Sequence, residues 1–337
     1  MPPGFFTVSL DLELFWGVRD VTSISRYGAN ILGVRQAIPA ILNLFRSHGI
    51  HATWATVGFV TFAARKELIA FLPDERPGYL DPKLDPYPYL SSIGNNERDD
   101  PYHYGYSLVR AIQDTPGMEI GSHSFSHFYC LEPRANPSAY RADLHASVAA
   151  LQRLDVQPRS LVFCRNQYDG MHLQDAADCG FDIFRGNEPG YLYAPRSAGD
   201  ETLVRRAGRL ADAYFDFTGP NLSSVSRDTS GLINVPSSRF LRPCGMSMFE
   251  QLRLRRILKA MEVAASSGSG FHLWWHPHNF GTNLERNLSF LSQILMHFRY
   301  LQDKFGMRSA TMSEAVEFKH ASWPPYEVQM NSASCKS

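Results

Sequence analysis

Short apolar runs alternate with amphipathic segments along most of this chain of 337 residues. The run from Phe5 to Leu14 has the length and composition of a buried strand, and residues 33–48 follow it with apolar side chains at helical spacing. Gly49 is placed to end that helix, and residues 51–57 form the next strand-like run. Strands separated by helices of this length indicate a parallel sheet with crossover connections. We count seven or eight such β/α units and predict a closed or partly closed β/α barrel.

No shift in composition marks a domain boundary within this alternation. We therefore predict a single domain over residues 1–320 and a polar tail over residues 321–337. The alternation is interrupted at residues 73–105, where prolines are interleaved with tyrosine, aspartate and asparagine. A stretch of this length without a clear element is usually a functional loop or lid, or else disordered. A decoration with no function is the alternative.

The overall charge and the cysteines narrow the class of protein. Lysine plus arginine equals aspartate plus glutamate at 33 each, which removes the electrostatic argument for a general nucleic-acid binder. The N-terminus does not show a basic region followed by an apolar one, so we expect no secretory signal. No apolar stretch approaches the ~20 residues of a membrane span. The five cysteines are scattered and form no Cys-x-x-Cys pair, which favours reduced thiols and a cytoplasmic location.

Polar clusters fall at the carboxyl ends of four predicted strands, where β/α barrels place their active sites. The clusters are Asp11 with Glu13, His123 with His127, residues 165–168, and His276 with His278. Asp11 and Glu13 are two residues apart on a strand, so both side chains point to one face. His123 and His127 are four residues apart and would share a face if the chain were helical there. Such a histidine pair is a weak signal alone, but four placements at one end of the sheet favour a metal site.

The residue types in these clusters suit metal-assisted hydrolysis. Two imidazoles and one carboxylate leave an open position on zinc for water, which is typical of catalytic rather than structural sites. The metal lowers the pKa of its bound water and polarises a substrate carbonyl. A second carboxylate can accept the water's proton, and another histidine can protonate a leaving amine. One candidate for each role is found among Asp11, Glu13, His123, His127 and His276.

With these motifs in this order, the sequence resembles the polysaccharide deacetylases of the NodB-homology family (carbohydrate esterase family 4). The matching segments are Ser9-Leu10-Asp11-Leu12-Glu13, His123-Ser124-Phe125-Ser126-His127, Arg165-Asn166-Gln167-Tyr168 and Leu273-Trp274-Trp275-His276. The resemblance covers roughly residues 5–318, and its specific part is the His-Ser-x-Ser-His segment together with the order of the motifs. It implies an α/β fold, a distorted (β/α) barrel with about seven parallel strands.

The resemblance also implies a role for each site residue. Asp11 would be the general base, His276 the general acid, and Glu13, His123 and His127 the metal ligands. Arg165 would orient the base, and the backbone N–H of Tyr168 would help to hold the oxyanion.

Three departures from the common family pattern affect these assignments. Leu12 separates the two acidic residues, and Glu13 stands where aspartate is more usual. Asn166 and Gln167 replace the usual pair of prolines. His278 competes with His276 for the acid role, and we prefer His276 because it directly ends the apolar strand.

We therefore predict a metal-dependent hydrolase that removes the N-acetyl group of an amino sugar in a glycan or glycan precursor, in surface-polysaccharide metabolism. The cofactor is one divalent ion, zinc by its ligand set, with manganese, cobalt or nickel as alternatives. A related amidohydrolase acting on a non-sugar amide (allantoinase- or deformylase-like) and an inactive carbohydrate-binding protein are the alternative functions. In the interruption at residues 73–105, four tyrosines could stack on sugar rings or pack the segment onto the barrel; they are Tyr79, Tyr87, Tyr89 and Tyr102.

Overall fold

A curved sheet of mostly parallel strands organises residues 2–245 and 249–320, the part of the chain that this computed structural model describes. The predicted tail at residues 321–337 lies outside the described residues. The strands are β1 Phe5–Leu12, β2 Ala52–Thr56, β3 Met118–Ser122, β4 Ser160–Leu161, β5 Ile183–Phe184, β6 Ser226–Arg227, β7 Ile233–Asn234, β8 Arg239–Phe240, β9 Gly270–Trp275 and β10 Arg308–Ala310.

The strand order is β6-β7-β5-β4-β3-β2-β1-β9-β8, and β10 pairs with the first half of β1. Every pairing is parallel except that of β6 with β7. The sheet curls into a half-barrel, which confirms the predicted α/β fold and its distorted barrel. Strands β6 and β8 were not predicted. Each has only two residues, and so short a pairing leaves no pattern in the sequence.

Helices follow most of the strands, as the sequence pattern predicts. They are α1 Ile24–His48, α2 Arg65–Ala70, α3 Tyr106–Gln113, α4 Pro137–Gln152, α5 Gly170–Asp178, α6 Leu203–Tyr214, α7 Glu250–Ser267, α8 Leu284–Phe305 and α9 Met312–His320. Gly49 ends α1 in the left-handed conformation, with φ of 63°. The apolar spacing over residues 59–72 predicts one helix, but the structure has a short 3₁₀ turn, Gly58–Thr61, followed by the six-residue α2.

Strand β1 shows how the sequence separates the core from the site. Phe6, Val8 and Leu10 alternate along β1 and join the main apolar cluster, which also contains buried residues of α1 and α8. Ser9 and Asp11 point to the other face, where both accept hydrogen bonds from Arg185. Both faces of the strand are buried, so its polar face opens into the interior of the half-barrel rather than into bulk water.

The segment at residues 73–105 packs against loops at the carboxyl ends of the strands. The Phe15 N–H donates to the Tyr102 carbonyl (3.1 Å), and the Trp16 indole donates to the His103 carbonyl (2.8 Å). Tyr79 of the segment contacts the loop after β3, where the Tyr129 N–H donates to the Tyr79 hydroxyl (2.8 Å). The segment therefore borders the predicted active-site end of the barrel.

The tyrosines of this segment contact the barrel. The ring of Tyr87 lies 5.8 Å from that of Phe59, and the ring of Tyr89 lies 6.1 Å from that of Trp16. These contacts agree with the prediction that the tyrosines pack the segment onto the barrel.

Candidate active site

Asp11 and Glu13 lie at the carboxyl end of β1, with only 2% and 4% of their surfaces exposed. Leu14 then turns the chain away from the strand in a left-handed conformation, with φ of 48°. Two buried carboxylates so close in sequence need positive partners, because an unpaired buried charge is strongly unfavourable. The partners come from three other segments of the chain: the loop with His123 and His127, Arg185, and the pair His276 and His278.

His123 and His127 lie in an irregular loop after β3 and not in a helix. Ser124 and His127 both adopt left-handed backbone conformations, with φ of 59° and 62°. The helical spacing considered for this pair is therefore wrong. The two imidazoles meet because the loop folds back on itself, which brings their ring centroids to 5.1 Å.

A buried carboxylate from α4 holds this loop in shape. Asp143 accepts hydrogen bonds from the backbone N–H groups of Phe125 (2.6 Å) and Ser126 (3.1 Å) and from the Ser126 hydroxyl. The hydroxyl of Ser124 accepts a further bond from the Phe128 N–H (2.7 Å). The serines of the His-Ser-x-Ser-His segment thus secure an unusual backbone path, which is a common feature of functional sites.

Three ligand-type atoms converge at the centre of the site. The Nε2 atom of His127 lies 3.0 Å from Oε2 of Glu13, and Nε2 of His123 lies 3.5 Å from the same oxygen. The Nδ1 atom of His123 donates to the Val162 carbonyl (2.8 Å), so the lone pair of its neutral ring is on Nε2, towards Glu13. This orientation of a histidine by a carbonyl is typical of metal ligands.

The electrostatics of the site favour a cation at this point. Burial lowers the pKa of His127, but the neighbouring Cys164 and Glu13 outweigh it and raise that pKa to about 9. Burial raises the pKa of Glu13, but His276, His123 and His127 hold it well below its usual range. A site that stabilises positive charge on its imidazoles also stabilises a divalent ion, so the donor set of Glu13, His123 and His127 fits the metal that the sequence predicts.

Cys164 is a fourth potential ligand that the sequence argument missed. The Sγ atom of Cys164, one ring nitrogen of His123 and one ring nitrogen of His127 all lie within 4.8 Å of one another. The thiol is buried and contacts the His123 carbonyl at 3.3 Å. Burial raises the pKa of this thiol, but the two histidines lower it to about 6. Cys164 directly precedes the Arg165 motif, and a lone cysteine gave no sign of this position.

The arginine that contacts Asp11 is Arg185 and not Arg165. Nη1 and Nη2 of Arg185 donate to the two carboxylate oxygens of Asp11 at 2.7 and 2.8 Å, with both side chains buried. Burial raises the pKa of Asp11, but Arg185, with help from His123 and His276, outweighs burial and holds that pKa below its usual value. Arg165 instead pairs with Asp20 and stacks over the ring of Tyr129. The contact predicted for Arg165 is therefore made by Arg185.

His276 and His278 both reach the acidic pair, with their rings stacked 5.0 Å apart. Nε2 of His276 lies 3.7 Å from a carboxylate oxygen of Asp11 and 3.7 Å from one of Glu13. Nδ1 of His278 lies 3.8 Å from Glu13, but burial lowers the pKa of this ring to about 3 and keeps it neutral. The side chain of His276 is 23% exposed, so it is the histidine that can meet a substrate and exchange protons with it.

Tyr168 follows a 3₁₀ turn, Cys164–Asn166, at the end of β4. Its ring packs 4.8 Å from that of Phe163, and its hydroxyl accepts a bond from the Asn187 N–H (3.3 Å). Among the described residues, none accepts a hydrogen bond from the backbone N–H of Tyr168. This donor therefore stays available for the oxyanion role that the resemblance implies.

A cavity of about 230 Å³ opens beside the histidines. Trp274 and Phe240 line it and also pack against the ring of His276, at centroid distances of 5.6 and 5.7 Å. The indole of Trp274 donates to Glu188 (3.1 Å) and stacks under the guanidinium of Arg185 at 4.2 Å. The cavity thus shares walls with the candidate active site.

Comparison with known proteins finds one family match over part of the chain and several similar structures. Residues 32–184 match the family described as Polysaccharide deacetylase. A protein described as a polysaccharide deacetylase from Mycobacterium smegmatis has a similar structure, with a TM-score of 0.61, 13% identity and 96% coverage of each chain. Puue allantoinase is similar with a TM-score of 0.53 and 12% identity, over 96% of this chain and 91% of that one. Among curated proteins, no sequence matches this one. Within the described residues, no helix is both long and apolar enough to cross a membrane.

Proposed function

We propose, from the match of residues 32–184 to the polysaccharide deacetylase (CE4/NodB) family, that this chain is a metal-dependent hydrolase that releases acetate from the N-acetyl group of an amino sugar. The observation that carries the proposal is the meeting of a ligand set, a base and an acid within one buried cluster. Glu13 lies within 4 Å of both His127 and His276, and Asp11 lies within 4 Å of His276.

Each residue of the candidate active site has a role in the proposed reaction. Glu13, His123 and His127 would hold the divalent ion, which supplies a more acidic water and a polarised carbonyl when it is bound. Asp11, kept ionised and oriented by Arg185, accepts the proton of the attacking water. His276 donates a proton to the nitrogen of the leaving amine, so that the amide C–N bond breaks to give acetate and the free amino sugar. The backbone N–H of Tyr168 donates to the oxyanion.

Zinc, a cytoplasmic location and a role in surface-polysaccharide metabolism stay predictions. The ligand set supports zinc, and Cys164 beside the histidines adds a soft donor that suits it. Elemental analysis of the purified protein tests the metal.

Acetate release from N-acetylated sugars by the purified protein, with bound metal measured on the same sample, tests the activity. We expect acetate release that chelation abolishes and divalent ion restores. Release of an acyl group only from non-sugar amides would favour the allantoinase- or deformylase-like alternative. Glycan binding without any hydrolysis would favour the inactive binding protein.

A further inference from the structure

The cavity beside His276 is rich in arginine. Five arginines line it, and they come from three separate segments of the chain: Arg165, Arg196, Arg209, Arg239 and Arg242. Its carboxylates are Glu188 and Glu201. None of these seven residues belongs to the metal and acid-base cluster described above, so the catalytic proposal leaves the charge of the cavity unexplained.

Three of the five guanidinium groups have carboxylate partners. Arg165 pairs with Asp20, Arg209 pairs with Glu201 (3.0 Å), and Arg239 lies 3.4 Å from Asp212. Asp212 is shared, because Arg256 lies 2.9 Å from its other oxygen. Each of these three arginines therefore has at least one carboxylate of the protein within 4 Å.

Arg242 and Arg196 differ from the other three. Among the described residues, no carboxylate lies within 4 Å of either guanidinium, and their contacts are with rings: Phe240 at 5.9 Å for Arg242 and Tyr191 at 5.2 Å for Arg196. Both side chains are half-buried. Burial lowers the pKa of Arg242, with Arg209 and Arg253 adding repulsion, although Tyr193 and Tyr214 oppose the change. Partial loss of water without a counter-charge is unfavourable, and an anion bound in the cavity would offset it.

The position of Arg242 relates the cavity to the reaction. The ring of Phe240 lies between Arg242 and His276, the proposed general acid. The centroid of the Phe240 ring is 5.7 Å from the centroid of the His276 ring and 5.9 Å from Cζ of Arg242. Glu188, which also lines the cavity, accepts a hydrogen bond from Trp274. Its carboxylate would repel an anion, so we expect the anion beside Arg242, one ring away from His276.

We propose that this cavity binds the phosphate of a glycosyl phosphate or glycosyl diphosphate, with Arg242 and Arg196 as its ligands. The inference rests on the proposed deacetylase function and adds the class of substrate to it. Guanidinium groups suit phosphate because their N–H donors match two of its oxygens at once. The aromatic walls, Phe240 and Trp274, provide apolar surface for the sugar ring between phosphate and acetamide. A nucleotide or a lipid would be the group beyond the phosphate.

Binding is tested without chemistry by using glucose 1-phosphate, which has a phosphate but no acetamide. We expect saturable, salt-sensitive binding to the wild-type protein in calorimetry and no comparable binding of glucose. Arg242→Gln should weaken the affinity roughly 10- to 100-fold, as expected for a lost charge-assisted hydrogen bond. Arg206→Gln removes the same charge from an exposed position on α6 and should leave the affinity unchanged. Circular dichroism of both variants checks that they are folded.

The source of the phosphate is tested with three N-acetylglucosamine donors: the 1-phosphate, the uridine diphosphate and a farnesyl diphosphate. Preference for the uridine or the farnesyl donor identifies a nucleotide or a lipid carrier, and Arg242→Gln should raise the KM of the preferred donor with less effect on kcat. Equal kcat/KM for the free sugar and all three donors would overturn this inference but keep the deacetylase. Arg242-dependent binding without acetate release from any donor would keep the phosphate site and refute the deacetylase. Equal affinity of wild type and Arg242→Gln for glucose 1-phosphate would also overturn the inference.

Discussion

Replacement of Arg185 by methionine should destabilise the protein and change its pH dependence, because the guanidinium of Arg185 balances the charge of Asp11. Both side chains are at least 97% buried, and two hydrogen bonds of 2.7 and 2.8 Å join them. Arg185 also donates to the Ser9 hydroxyl (3.0 Å) and covers the ring of Trp274. Methionine keeps much of the side-chain length and apolar contact but removes the charge and all of these donors.

The magnitude follows from the burial of the pair. Loss of one partner of a buried ion pair costs about 3–5 kcal/mol, since the other charge is left uncompensated. In the wild type, Arg185 holds the pKa of Asp11 below 3.8, so the pair's contribution to stability is present above that pH and is lost as the pH falls. In the variant, burial acts on Asp11 without Arg185, so we expect its pKa to rise above the usual value. The destabilisation should then be greatest near neutral pH and shrink as acid protonates Asp11.

Urea unfolding of wild type and Arg185→Met at pH 7.5 and pH 5 measures this change. Arg165→Met is the matched control. Arg165 pairs with Asp20 and not with Asp11, so its loss should leave the pKa of Asp11 unchanged. The acid limb of the kcat/KM profile should move to higher pH in Arg185→Met and stay in place in Arg165→Met. A loss below about 1 kcal/mol for Arg185→Met, or a shifted acid limb only in Arg165→Met, would refute this argument.

Two further predictions concern residues that support the site. Burial and Arg185 lower the pKa of His272 to about 3. Between neutral pH and pH 5 the unfolded chain therefore gains a proton at His272 that the folded protein does not. The free energy of unfolding should fall by about 2 kcal/mol over this range. His272→Gln should flatten this part of the stability profile in urea unfolding, and an unchanged slope would contradict the assignment. Asp143→Ala should cost roughly 2–5 kcal/mol, because it leaves the buried N–H groups of Phe125 and Ser126 without acceptors, and should weaken metal binding in a competition assay. Metal affinity equal to that of the wild type would show that Asp143 does not position the histidines.

The features of the fold that depend on local patterns could be predicted from the sequence. Strand β1 was expected at Phe5 to Leu14 and is found at Phe5–Leu12, because its apolar run and its two acidic residues are contiguous. Apolar side chains at helical spacing predict a helix at residues 284–304, and α8 is found at Leu284–Phe305. The conformation of the His123–His127 loop could not be predicted, because it depends on hydrogen bonds to Asp143, which lies in another element.

Arg185 shows why part of the site escaped prediction. The sequence pattern also predicts a strand from Phe181 to Arg185, and the place of Arg185 at the end of that strand was the available signal. An arginine at such a place is usually a surface residue, and only the curvature of the sheet brings β5 across the barrel interior to Asp11. Cys164 was missed for the same reason, since its neighbours His123 and His127 are about 40 positions earlier in the chain and meet it only through the pairing of β3 with β4.

We propose that Glu13, His123 and His127 hold a metal while Asp11 acts as the base beside it. The most direct measurement is bound metal and acetate release on the same samples of wild type, Asp11→Asn and His123→Ala. We expect Asp11→Asn to keep the metal and lose about 10²–10⁴-fold in rate, because asparagine cannot accept the proton. His123→Ala should lose both metal and activity. Metal retained by His123→Ala, or full activity in Asp11→Asn, would contradict the account.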